Sequence, residues 1–404
     1  MATSNIQRGG DHGRFLIVTF AAGGNVPSAL GLGRRLRSCG HQVRVLANSS
    51  LRGRAEAAGC AFRPLPASCD QDPSRGRALE DEGQWEYWSE LLAGVPLAQA
   101  VLEEAGRQPA DVLIVDCMLR NALVAAEKAG LPTAVIVHMR VGFFTDEKYS
   151  GGGWDWDAVQ TTRAQLGMAP MTRTDEPRAV VEQWKGCERA LVVMPVEFEI
   201  PGFRAAPNVR FVGPIFEEES VGGWPDDLPW RPDDPAPLVI VSLSSTYMHH
   251  EDVVARILEG LSELNVRVLV TLGGGLAPHE VRAARGVEVR AHVPHRSVLP
   301  HTSLLVTHAG MGTAMAAFAA GVPMLCLPLG RDQNGNAARI EALGAGRVIP
   351  RDSSAASIRD AAAAALASND LRAGAASMAD IVAGYDNGTL AVDELTSILP
   401  AAGA

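Results

Sequence analysis

The stretch "THAGMGTAMAAFAAGVPMLCLPLGRDQNGNAARIEALGAG", residues 307–346, decides how this chain is read. It starts at the end of an apolar run that leads into His308, and a turn containing Gly310 and Gly312 follows. A helix of small residues then opens beside Thr313, and a second apolar run at 323–329 leads to Asp332 and Gln333. This order suits an anionic ligand. Glycines let the backbone come close, and the first N–H groups of a helix, aligned with its dipole, favour a phosphate. His308 stands at the strand end, where it can donate a hydrogen bond to the same ligand. A glycine-rich turn alone is weak, because many strand-to-helix turns need a positive φ. The His, the two Gly, the Thr and the downstream Asp-Gln together are far more specific.

Outward from this stretch, short apolar runs alternate with segments of helical spacing. "RFLIVTF" (14–20), "HQVRVLA" (41–47), "DVLIVD" (111–116) and "TAVIVH" (133–138) read as buried strands in the first half. "LVIVSL" (238–243), "VRVLVTL" (266–272), "VEVRA" (287–291) and "SLLVTHA" (303–309) repeat the pattern in the second. Repeated strand–helix–strand units predict an α/β chain with parallel sheets covered on both faces. Between the halves, "GPIFEEESVGGWPDDLPWRPDDPAP" (213–237) is rich in Pro, Gly and Asp and reads as a linker. The expected division is residues 1–215, a linker at 216–236, a second domain at 237–385, and a terminal helix within 386–404 that has the first domain as a packing partner. Two facing Rossmann-like domains place a ligand in the cleft between them. Residues 143–184 are the least regular and carry Trp154, Trp156, Met168 and Met171. They read equally as a cover over an apolar substrate or as a loop with small helices packed on the core.

Bulk properties narrow the function. The 404 residues are 47% hydrophobic and 20% charged, with a formal charge of −10 and no block of Lys or Arg. That balance argues against non-specific nucleic-acid binding and docking on anionic membranes. Six scattered cysteines with no CxxC pair read as reduced thiols. The polar opening "MATSNIQRGGDHGR" lacks a signal-peptide core, and no apolar run approaches the roughly 20 residues of a membrane span. A soluble, cytoplasmic protein is expected, without membrane insertion.

The second informative stretch is "AAGGNVPSALGLGRRLRSCGH" (21–41), a strand-to-helix turn with Asn25 at its apex. An amide there is unexpected if the turn lines an active site, because Asn cannot remove a proton at neutral pH.

Residues 307–346 resemble the nucleotide-sugar signature of the UDP-glycosyltransferase superfamily, in its bacterial natural-product branch with the GT-B fold. "VPHRSVLPHTSLLVTHAG" resembles the family's base-binding segment, and the "GN…GH" turn, "DVLIVD", "FVGP" and "VIVSLSST" match in order. The resemblance covers nearly the whole chain. It implies that His308 contacts a phosphate of the donor and that Gly310, Gly312 and Thr313 cradle the diphosphate. Ser245 would face the same diphosphate, and Val293 and His292 would hold the nucleobase. Asp332 and Gln333 would bind the hydroxyls of the donor sugar. Asn336 matches a nearby polar position, with a helix-surface amide the plainer reading.

Two departures from the family pattern matter. A carboxylate for the ribose hydroxyls is common where this chain has Ala316, which leans the donor toward a dTDP-sugar over a UDP-sugar. The cost of an unpaired ribose hydroxyl is modest, on the order of 1 kcal/mol. The position of a stacking Trp is His292. The second departure is Asn25, which takes the place of the family's general-base His, while its partner Asp is present as Asp116. Three explanations stay open: Asp116 takes the proton itself, His138 replaces the lost imidazole, or the acceptor is acidic enough to need little help. An Asn that only caps the helix is the remaining reading.

The expectation is an inverting, metal-independent glycosyltransferase that moves a sugar from a dTDP- or UDP-sugar to a small apolar acceptor. Asn25, Asp116, His138 and the 143–184 region would surround that acceptor. No cofactor beyond the donor is expected, and a homodimer is left open. The rival is a non-catalytic nucleotide-sugar sensor. A nicotinamide enzyme lacks its fingerprint after the first strand. "DWD" (155–157) is discounted as a metal motif, and "YMHHED" (247–252) reads as solvent-facing helix caps.

Overall fold

The computed structural model describes residues 12–71, 83–145, 154–176, 178–217, 223–282 and 286–401. Two wholly parallel sheets account for the apolar runs. The first has seven strands: β1 (Arg14–Val18), β2 (Gln42–Ala47), β3 (Ala61–Pro64), β4 (Val112–Asp116), β5 (Thr133–Val137), β6 (Arg189–Val192) and β7 (Val209–Phe211). Their order is β3-β2-β1-β4-β5-β6-β7. The second has six: β8 (Leu238–Ser242), β9 (Arg267–Thr271), β10 (Val287–Arg290), β11 (Leu304–Thr307), β12 (Met324–Cys326) and β13 (Gly346–Val348). Their order is β10-β9-β8-β11-β12-β13.

In each sheet the first strand is central and the chain winds away from it in both directions. The strand order therefore reverses between β1 and β4, and again between β8 and β11. At such a switch point the connections leave in opposite directions, and a crevice opens beyond the carboxyl ends of the strands. The unbroken burial of β4, β5, β8 and β9 follows from helices on both faces.

The two domains share an apolar core. One buried cluster runs from Leu16, Leu113 and Val135 in the first domain to Leu305, Ala317 and Phe318 in the second. Phe198 of the first domain meets Phe318 of the second edge-on, with ring centroids 5.4 Å apart and both side chains fully buried. The last described helix returns to the first domain. The helix Thr389–Thr396 places Ala391, Val392 and Leu395 in a first-domain cluster with Phe15, Leu30 and Leu36. Its Glu394 accepts from Arg189 at 2.6 Å and pairs with Arg210 at 3.3 Å.

Among the described residues of 143–184, those from 156 to 171 follow the plainer reading. The helix Trp154–Gln165 packs Trp156 and Val159 with Val124 and Ala179, and Met168 and Met171 border that cluster. Trp156 is thus a core residue. Residues 146–153 and 177, and the side chains of Trp154 and Asp155, lie outside the described residues, while Asp157 is exposed. His250 also departs from expectation. It precedes the helix Glu251–Ser262, yet it is buried rather than solvent-facing, and burial lowers its basicity.

Candidate active site

Both switch points open into one cleft of about 860 Å³, lined by residues of both domains. The contact between the domains is close. Gly23 has φ +86, and a methyl group there would lie 2.0 Å from Ser245 Oγ of the other domain. A methyl on Gly312 would sit 3.6 Å from Gly24 Cα. The glycine turn after β1 therefore faces the glycine turn after β11 directly, and a side chain at residue 23 would collide with Ser245.

On the first-domain side, Asp116 ends β4 and is almost wholly buried. Its Oδ1 accepts from the Met118 backbone N–H at 3.0 Å and pairs with His138 Nε2 at 3.1 Å. Its Oδ2 accepts from Asn25 Nδ2 at 2.8 Å and from the Thr19 hydroxyl at 3.3 Å. Four donors use the lone-pair directions a carboxylate has. With His138 Nε2 as a donor, the lone-pair directions of Asp116 are all engaged. Asn25 also donates to the Phe20 carbonyl at 2.8 Å, which pins its amide against the turn. Its Oδ1 is buried without a partner among the described residues.

His138 follows β5, and it reaches the cleft wall while Nε2 stays on Asp116. In the neutral ring Nε2 carries the hydrogen and Nδ1 is left with a lone pair. Burial disfavours the imidazolium, but the neighbouring Cys117 sulfur and the Asp116 carboxylate more than offset it, so His138 holds its proton well above the ordinary imidazole range. For Asp116, burial works against the charge, yet His138 and the surrounding donors keep the carboxyl below its ordinary value. Asp116, Cys117 and His138 present possible metal-ligand atoms within 4.8 Å of one another. The saturated carboxylate suits a hydrogen-bonded dyad better than a metal centre.

On the second-domain side, the helix Met311–Ala320 begins at Gly310, so its free N–H groups point into the cleft beside Thr313. His308 stands against this turn. A methyl on Gly310 would come 2.5 Å from His308 Nε2, so the ring requires glycine there. Burial and the nearby His250 and Arg331 push His308 down to about 3, which keeps the imidazole neutral. Its Nδ1 is buried without a partner among the described residues. Ser245, His292 and Val293 also line the cleft, with Val293 buried and His292 exposed.

Asp332 and Gln333 reach the cleft at the start of the helix Gln333–Ala342. Gln333 is not free for a sugar at its oxygen: Oε1 accepts from Leu329 N at 2.7 Å and Gly330 N at 3.1 Å. That holds a turn in which Arg331 has φ +56. Asn336 is not a surface amide either. It is fully buried and donates to Asp332 Oδ2 at 2.8 Å and to the Ala309 carbonyl at 3.1 Å.

Residues 255–397 match the erythromycin biosynthesis protein CIII-like C-terminal domain (EryCIII-like). Over the chain as a whole, a demethyllactenocin mycarosyltransferase from Streptomyces fradiae is 28% identical, covering 94% of this chain and 86% of its own length. Among solved structures, the kitacinnamycin glycotransferase superposes with a TM-score of 0.78 at 20% identity, covering 97% of this chain and all of its own. The glycosyltransferase VinC in complex with dTDP gives 0.70 at 19% identity, over 96% and 99% of the two chains. The chain is a glycosyltransferase of GT-B fold.

In this glycosyltransferase the first-domain end of the cleft carries apolar side chains that pattern reading had passed over. Phe20, Trp88, Leu92, Met118 and Met139 join Phe143 there. Of the irregular 143–184 segment, Phe143 is the residue that reaches the cleft among those described. Trp88 and Leu92 belong to the helix Gly83–Ala93, far in sequence from either glycine turn. Their helical spacing was available as a signal, but spacing cannot tell a helix on the core from one that also walls a cleft. Ala316 is in the cleft as well, an apolar side chain where the family resemblance implies a carboxylate. No helix among the described residues is long and apolar enough to cross a membrane.

Proposed function

We propose that this glycosyltransferase moves a sugar from a nucleoside diphosphate to a small apolar acceptor with inversion, and that dTDP-sugars are favoured over UDP-sugars. The observation that carries this reading is the His138–Asp116 dyad standing across one cleft from the helix N-terminus and His308. The diphosphate would lie on the N–H groups at 311–313, with neutral His308 donating to it and Thr313 and Ser245 beside it. Asp332 would hold a sugar hydroxyl. Val293 and His292 would flank the base, and Ala316 offers the ribose no partner, which suits a 2′-deoxy sugar. The VinC complex with dTDP lends the same lean.

The acceptor would lie against Phe20, Trp88, Leu92 and Met118, with its nucleophile at His138. As the acceptor oxygen or nitrogen bonds to the anomeric carbon, the bond to the diphosphate oxygen breaks and the nucleophile's proton passes to His138 Nδ1. Asp116 then stabilises the imidazolium, and Asn25 holds Asp116 in place. The oriented N–H groups stabilise the departing diphosphate, so the reading invokes neither a metal nor a cofactor.

The test has two parts. Thermal shift with dTDP and UDP should give the larger rise for dTDP; an equal or reversed rise overturns the donor preference. Mass spectrometry should then find glycosides from a panel of aromatic and macrocyclic acceptors with dTDP-sugars. Nucleotide binding with neither transfer nor donor hydrolysis across the panel would favour a non-catalytic sensor.

A further inference from the structure

Two residues beyond His138 the same segment sends Arg140 out of the first domain and into the second. The side chain is 7% exposed. Its Nε donates to Asn336 Oδ1 at 3.2 Å, and the structure gives the guanidinium no carboxylate partner among the described residues. The helix it meets makes room for it: a methyl on Gly335 would lie 1.9 Å from Arg140 Nη2. The same helix is held again one turn later, where Arg339 donates to the Glu197 carbonyl at 2.7 Å.

A buried guanidinium that makes no direct ion pair among the described residues is costly, and an apolar side chain of similar volume would serve packing better. Its position is explained by what Asn336 does. The amide oxygen takes the arginine, which turns the NH2 group toward Asp332 Oδ2 and the Ala309 carbonyl. Ala309 directly follows His308 and has φ +64. One amide thus joins the sugar-side carboxylate, the backbone beside the phosphate-side imidazole, and the strand end that carries the acceptor-side imidazole.

We propose that Arg140 is a positioning residue that, through Asn336, sets Asp332 in register with His138 across the domain interface. This rests on the glycosyl-transfer reading above. Without Arg140, Asn336 is free to rotate and Asp332 loses its fixed donor. The sugar is then held less accurately against the acceptor, and water competes for it. Nucleotide binding, which depends on the second domain's own turn, should be left alone.

The experiment compares Arg140→Met, Arg140→Lys, Gly335→Ala and the Arg140→Met/Gly335→Ala double variant with the wild-type chain. It reads kcat, the fraction of donor hydrolysed per sugar transferred, thymidine diphosphate affinity and the melting temperature. Arg140→Met is expected to lower kcat about 10- to 100-fold and to raise the hydrolysed fraction, with dTDP affinity within about 2-fold of wild type. Gly335→Ala should do the same by displacing the guanidinium, and Arg140→Lys should recover part of the loss. The double variant should be no worse than the worse single one. Unchanged kcat and hydrolysed fraction in Arg140→Met overturn the proposal. So do losses that multiply in the double variant, or a loss of kcat that only follows the melting temperature. A wild-type chain that turns over no donor refutes the underlying transferase reading instead.

Discussion

On the mechanism proposed above, Asn25 stands where the family resemblance implies a base without acting as one, and His138 takes that part. The turn after β1 supplies an amide that orients Asp116, and the imidazole arrives from β5, beyond the next parallel strand. His138→Ala should lower transfer to weakly acidic alcohols by about 10²- to 10⁴-fold, read as kcat with saturating donor; an unchanged rate would remove it as the base. Acidic phenols should suffer less. The imidazole must be neutral to act, and its folded value lies above the ordinary 6.5. The rate should therefore rise with pH to a plateau above neutrality, whereas a limb in the carboxylate range would point back to Asp116. Asn25→Ala removes donors from the buried Asp116 carboxylate and Phe20 carbonyl. A loss of about 1–3 kcal/mol in denaturant unfolding is expected. The replacement itself was visible in the sequence as an Asn at the His position. The sequence left Asp116, His138 and the acceptor's own acidity open as the answer to the missing imidazole, because the order β1-β4-β5 that brings these residues together is not encoded in local spacing.

At the level of elements, chemistry gathers on the ends of strands, where the backbone turns toward a helix and leaves N–H groups unpaired. The turn after β11 shows how tightly such an element is built. Gly310→Ala would drive a methyl into the His308 ring, so dTDP affinity should fall about 10-fold, measured by calorimetry; retained affinity would mean that His308 is not held by this turn. The same region makes the fold acid-sensitive. His295 is pushed down to about 4 and His308 to about 3, mainly by burial, so each is neutral in the folded chain and takes up a proton on unfolding below about 6.5. Their contribution to stability is present above that value and is lost as the pH falls. His138 has the opposite sign: its contribution is full below 6.5 and is lost as the pH rises through its raised value. Melting temperatures from pH 8 down to 4 should fall most steeply below 6.5, and His295→Gln should flatten that slope. The turn, its glycines and its helix were legible in residues 307–346, since their chemistry is local. The engagement of the Gln333 oxygen by Leu329 and Gly330 was not, because an amide looks the same in sequence whether it faces a ligand or its own backbone.

Over the whole molecule, the alternation of apolar runs and helices made two α/β halves readable, and the Pro-, Gly- and Asp-rich stretch marked where they join. What that pattern could not carry is the interface. Phe198, Arg140 and Asn336 are ordinary residues in their own segments and acquire their roles only where the domains meet. The return of the helix Thr389–Thr396 to the first domain is the other long-range feature. Leu395→Ala should cost about 2–5 kcal/mol and should lower the melting of first-domain probes such as Trp88 and Trp184. If instead second-domain probes alone shift, the helix does not stabilise the first domain. This crossing also bears on recombination between relatives. A chimaera joined only within 216–236 would import the donor half together with a foreign terminal helix, and the incoming Ala391, Val392 and Leu395 equivalents would have to fit another protein's acceptor domain. A working exchange of donor halves needs a second junction near Tyr385, so that the helix stays with the domain it completes.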